Sequence, residues 1–112
     1  MVIEVIRYTV TAGEEAAFEE AYSAAGALLE PSSHCLGFSL MRATRERQRY
    51  IMTIYWDSPD GHLIGFRQSG AFKQYQELLS PYAPTVEEDG HYRKTGIDLT
   101  KKQLVRISGQ PR

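Results

Sequence analysis

The chain has 112 residues, 42% of them hydrophobic and 24% charged, which suits a single soluble domain and leaves no room for two. With 13 basic and 14 acidic residues the net charge is −1, so no broad field exists to gather nucleic acid or an anionic membrane. A chain this short buries only about two-thirds of its unfolded surface, and a partner subunit would add to a modest core.

Residues 2–10 are rich in β-branched side chains and predict a first strand. The start, Met1-Val-Ile-Glu4, lacks the basic opening and apolar run of a signal peptide. No apolar stretch reaches the length of a membrane span, so a cytoplasmic protein is the expectation. Thr11-Ala-Gly-Glu14 has the form of a capping box and predicts a helix beyond it. Phe18, Ala21, Tyr22, Ala25, Leu28 and Leu29 fall on one helical stripe, with Glu15, Glu19 and Glu20 outside it. Pro31 ends that helix.

Residues 36–43 predict a second strand with Leu36, Phe38 and Leu40 on one face. Thr44 to Arg47 is a polar turn. Residues 49–56 predict a third strand, and both of its faces are apolar: Tyr50, Met52, Ile54 and Trp56 on one, Ile51, Thr53 and Tyr55 on the other. Such a strand belongs to a sheet covered on both sides. Ser58 as N-cap and Pro59 in the first turn start a short helix over about residues 62–68. Ser69-Gly70 restarts a helix carrying Phe72, Tyr75, Leu78 and Leu79, which Pro81 and Pro84 stop. A fourth strand lies around His91-Tyr92-Arg93, within residues 86–96. The basic tail, residues 97–112, holds Leu104, Val105 and Ile107 as a short extra strand or a dimer arm.

The order is therefore β-α-β-β-α-β, an α+β fold of ferredoxin-like type with an antiparallel sheet spanning residues 1–96. The helices cover one sheet face. A second copy, laying its own sheet against the other, would close a dimeric α+β barrel.

Trp56-Asp-Ser-Pro-Asp-Gly-His62, then Gly65-Phe66-Arg67-Gln-Ser69 and Phe72, resembles the antibiotic biosynthesis monooxygenase superfamily. Leu78-Leu79 and Glu88-Asp-Gly-His91-Tyr92 are similar to later elements of one branch. The resemblance implies a homodimeric barrel with a small-molecule cavity in each subunit. It also implies a monooxygenase that needs no cofactor and acts on a small aromatic, phenolic or quinol-type compound. A non-catalytic binding dimer of the same fold is the alternative. Haem degradation fits less well. That branch has an asparagine on the first strand, a tryptophan on the helix after the third and a histidine beyond it, whereas this chain has no asparagine, Phe66 at the tryptophan position, and Tyr75 and Gln76 near the histidine position.

Cofactor-free oxygenation requires a base, a donor to hold an anion, and a dry pocket. His62 is a candidate base, since imidazole titrates near neutrality; its other reading is a residue of the first helical turn that lies on the surface or supports the reacting groups from behind. Arg67 could clamp a phenolate with its planar fork, or simply face solvent at a helix C-terminus. His91 reads equally as a polar cavity residue or as a hydrogen-bonder at a subunit interface, with Tyr92 on the opposite face. Trp56, Phe66, Phe72 and Tyr75 are candidate walls of a substrate cavity, or plain core. His34-Cys35 lacks partners at metal-ligand spacing, and Cys35 reads as a small buried apolar residue. No glycine-rich phosphate loop or dinucleotide fingerprint is present. The expected cofactor and metal content is none.

Overall fold

The computed structural model describes residues 1–101. Strand β1 (Val2–Thr9) is followed by helix α1 (Glu15–Leu29), strand β2 (Cys35–Arg42) and strand β3 (Arg49–Trp56). A π-helix (Gly61–Phe66), helix α2 (Phe72–Leu79), a 3-10 turn (Ser80–Thr85) and strand β4 (Val86–Tyr92) follow within the described residues. The four strands form one antiparallel sheet in the order β2-β3-β1-β4. This is the α+β, ferredoxin-like arrangement expected from the order of elements.

The helices lie on one face of the sheet. Val2, Ile6 and Tyr8 of β1, and Tyr50, Met52, Ile54 and Trp56 of β3, are buried beneath them. From α1 come Phe18, Tyr22, Ala25 and Leu29, with Ala21 and Leu28 packed at the margin, so the predicted stripe is the buried face. The Phe18 ring sits among the rings of Tyr8, Tyr22, Tyr50 and Tyr82 at centroid distances of 4.7 to 5.2 Å, a geometry that favours edge-on aromatic contact. The other face carries Ile3, Val5, Ile51, Thr53 and Tyr55, all half-buried, which no element of the described chain covers.

Three local expectations are corrected. Thr11 and Glu14 form no capping box: the first helical turn has no side-chain cap, and the Gly13 N–H instead donates to the Glu15 carboxylate. Leu36 does not share a face with Phe38 and Leu40. A bulge between Cys35 and Gly37 shifts the register against β3 and leaves Leu36 exposed, because one extra residue reverses the alternation. Arg93 lies beyond the end of β4.

The helix after β3 departs most from expectation. Ser58 does cap it, its Oγ accepting the Gly61 N–H at 2.9 Å. The turns then widen, and the Arg67 N–H bonds to the His62 carbonyl five residues back. Gly61 and Gly65 receive the ring of His34, and a Cβ on Gly65 would clash with it. The ring is held in turn by Asp57, Nδ1 to Oδ2 2.9 Å. Leu104, Val105 and Ile107 lie outside the described residues. Among the described residues, no helix is long and apolar enough to cross a membrane.

Candidate functional site

A cavity of about 240 Å³ opens between the helix-facing side of the sheet and the wall formed by the π-helix, α2 and the 3-10 turn. That is just below the span of about 300–1,000 Å³ usual for drug-sized ligands. Trp56 and Phe66 line it in contact, with ring centroids 5.4 Å apart. Phe72 and Tyr75 stand edge-on to Phe66, and Tyr8 and Tyr22 close the far end with their hydroxyls hydrogen-bonded to each other. All four aromatics expected from the sequence therefore line the cavity, and Trp56, Phe66 and Tyr75 are core residues as well. The two readings of these residues coincide because the cavity is an interruption of the core.

His62 lies in the wall and is only 6% exposed. The surface reading is thus excluded by the π-turn, which brings the ring inward. It stacks on Trp56 with centroids 4.6 Å apart and planes 9° from parallel. Its Nδ1 lies 2.8 Å from Nε2 of His91. His91 comes from β4, directly opposite Glu4 of β1, and is not part of the cavity lining. Tyr92 falls on the opposite face, as alternation requires. Arg67 caps the π-helix and is exposed, yet it lines the cavity; helix-end arginine and cavity arginine are the same residue.

Sequence reasoning missed the group with the most unusual environment. Glu4 is 4% exposed on the helix-facing side of β1 and lines the cavity. Its Oε1 accepts the Trp56 indole N–H at 3.1 Å. Burial, reinforced by proton sharing with Asp89 and by the charge of that carboxyl, raises Glu4 from 4.5 to about 8. Burial likewise lowers His62 from 6.5 to about 4, helped by the positive charge of Arg67 and by His91. The 3.4 Å approach of His62 Nε2 to Glu4 Oε1 has ion-pair geometry, but burial disfavours the charged form of both partners. The signal for Glu4 was a lone carboxylate in a largely apolar strand, which two-faced hydrophobicity kept from being assigned to a side.

The tyrosine hydroxyls are held neutral too: burial pushes Tyr8 up to about 12 and raises Tyr22 and Tyr75 further. The buried part of the lining, Glu4, His62, Tyr8 and Tyr22, is therefore held toward its uncharged forms, and Arg67 is the cation among the lining residues. Among the described residues, no three His, Cys, Asp or Glu side chains converge as a metal-binding group.

The family model for antibiotic biosynthesis monooxygenase matches residues 1–78. The chain belongs to this family. It is 29% identical over 91 residues to the uncharacterised protein YczJ of Bacillus subtilis, covering 78% of this chain and 95% of that one. Among solved structures, a Bordetella bronchiseptica protein described as an antibiotic biosynthesis monooxygenase superposes with a TM-score of 0.74 at 29% identity, over 84% of this chain and 96% of its own. SnoaB of Streptomyces nogalater, a cofactor-independent oxygenase, shares the fold with a TM-score of 0.70 at 21% identity, over 87% of this chain and 97% of its own.

Proposed function

We propose that this family member is a monooxygenase that joins dioxygen to a small phenol or quinol without metal or organic cofactor. The observation that carries the reading is a carboxyl, Glu4, buried in an aromatic cavity of about 240 Å³ beside the His62 imidazole, where burial favours the neutral form of each. Membership of a monooxygenase family and the fold shared with a cofactor-independent oxygenase support it.

The chemistry balances without an external reductant. A phenol with a free ring position and one dioxygen give a quinone and one water, the ring supplying every electron the oxygen takes up. Arg67 would pair with the phenolate formed as the phenolic proton passes to water at the exposed mouth of the cavity, one proton returning from water when the ring peroxide is protonated. The dry aromatic wall favours electron transfer from that anion to oxygen by withholding water from it. Glu4, kept neutral, would donate the proton that lets hydroxide leave the ring hydroperoxide as water. His62 is too weak a base at about 4 to hold the phenolic proton, and its place is between Glu4 and His91.

The working form is a cytoplasmic homodimer, with Ile3, Val5, Ile51 and Tyr55 of the open sheet face set against the same face of a second copy. Oxygen-electrode assays over a panel of phenols and quinols test the reaction. The expected result is uptake with quinone appearing in equal amount, lost in Arg67→Ala and Glu4→Gln. If ligands raise the melting temperature while no oxygen is consumed, the protein is a binding module and the proposal fails.

A further inference from the structure

A carboxyl that gives up and regains a proton in every turnover needs a route to water. The cavity is one such route, since Asp89 lies exposed on the edge strand β4 and lines the cavity together with Glu4. A ring compound in the cavity closes it. A second route passes through the wall. Glu4 Oε1 lies 3.4 Å from His62 Nε2, and on the other side of the same ring Nδ1 lies 2.8 Å from His91 Nε2. Glu4 and His62 are buried, whereas His91 faces solvent outside the cavity.

We propose that Glu4, His62 and His91 form a proton relay from the cavity to bulk water, with His91 as its outlet. A neutral imidazole carries one N–H and one lone pair, so it accepts on one side while donating on the other. The Glu4 O–H passes its proton to Nε2 of His62 as the Nδ1 proton of His62 passes to Nε2 of His91. His91 then releases its own Nδ1 proton to water. One proton has left, Glu4 is a carboxylate, and both imidazoles are neutral again. The reverse sequence reloads Glu4.

The surroundings suit this role. Stacking on Trp56 fixes the plane of the His62 ring, so both nitrogens are held in place. The groups facing His62 are Glu4 from β1, the Trp56 indole from β3, Arg67 from the end of the π-helix, and Asp89 and His91 from β4. Burial and Arg67 together disfavour a resting charge on His62, so a proton crosses the ring without lodging there. The 3.4 Å step is longer than a formed hydrogen bond, as such steps commonly are before a ligand tightens them. The purpose of the relay rests on the proposed reaction, but its existence does not, and the test uses protein without substrate.

Trp56 is the one tryptophan of the chain, and it touches both buried members of the relay, so its emission reports their charge. Relaxation of that emission after a laser-driven pH jump is measured with saturating cyclohexanol, a ring compound that is no oxygenation substrate, filling the cavity and closing that route, in the wild type and in Asp89→Asn, His91→Ala and His91→Gln. The expected result is a slowing of about tenfold or more in both His91 variants, no slowing in Asp89→Asn, and recovery of His91→Ala with imidazole in the buffer. His91→Gln keeps a side chain able to hydrogen-bond at that position but cannot relay, so it separates transfer from support of the fold. The relay is overturned if the His91 variants relax at the wild-type rate, if imidazole restores nothing, if Asp89→Asn alone slows relaxation, or if Trp56 emission ignores pH. Unaltered relay behaviour with no oxygen uptake would leave the relay standing and remove only the reaction.

Discussion

Replacing Glu4 by Gln should stabilise the protein in a strongly pH-dependent way. Glutamine is the neutral isostere of the form Glu4 adopts when folded, and its carbonyl still accepts the Trp56 N–H. The folded carboxyl titrates at about 8 and the unfolded one at 4.5. Below the lower value both states are protonated and the substitution changes little. Between the two, the folded state holds one proton more than the unfolded state, so wild-type stability falls as pH rises, by about 1.4 kcal/mol per pH unit. Across a window of about 3.5 pH units this amounts to about 5 kcal/mol. Urea unfolding at a series of pH values, followed by Trp56 emission at fixed protein concentration because a dimer dissociates as it unfolds, should show the gap between variant and wild type. It should open above about pH 4.5, widen to about pH 8 and then level off. A gap that stays constant, or a variant less stable than wild type at pH 8, would refute the claim that Glu4 is buried as the neutral acid.

His62 should act in the opposite sense. Its folded value, about 4, lies below the unfolded 6.5, so stability rises with pH through that window and the deficit of about 3 kcal/mol is present only below it. In the wild type the two trends oppose each other between about pH 4.5 and 6.5; Glu4→Gln should uncover the rise, and His62→Phe, which keeps the stack on Trp56, should abolish it. Gly65→Ala should cost about 1–3 kcal/mol by overpacking, since the new Cβ meets the His34 ring. In a His34→Ala background the same change should be harmless, and a cost that persists there would place its origin elsewhere. Val5→Lys on the open sheet face should turn a dimer into a monomer by light scattering, and a wild type that is already monomeric at micromolar concentration would rule out the barrel.

Much of the candidate site was legible because its residues cluster in one stretch. Trp56, His62, Phe66, Arg67, Phe72 and Tyr75 follow one another along β3, the π-helix and α2, and all six line the cavity. Their spacing set the elements, and the elements set the faces. Glu4 and Asp89 escaped notice because they sit 85 positions apart at strand positions whose facing is not a local property. Both faces of β1 are largely apolar, so alternation separates Val2, Glu4, Ile6 and Tyr8 from Ile3, Val5 and Arg7 but does not say which set meets the helices. The approach of His62 to His91, 29 residues apart, depends on the register of β4 on β1, and a bulge near Arg7 and Tyr8 puts that beyond any periodicity.

What the sequence by itself determined is the succession of elements, the buried stripe of α1 and the aromatic content of the cavity wall, because period and punctuation act over a few residues. Only the tertiary structure decided the charges in that cavity. The free energy that makes Glu4 an acid and His62 a neutral relay is desolvation, and how far a group is removed from water depends on what the rest of the chain lays over it. The widened turn that aims His62 inward is of the same kind. It is fixed by the ring of His34 packed on two glycines and by the carboxylate of Asp57 that holds that ring, contacts that exist only once β2, β3 and the π-helix have come together.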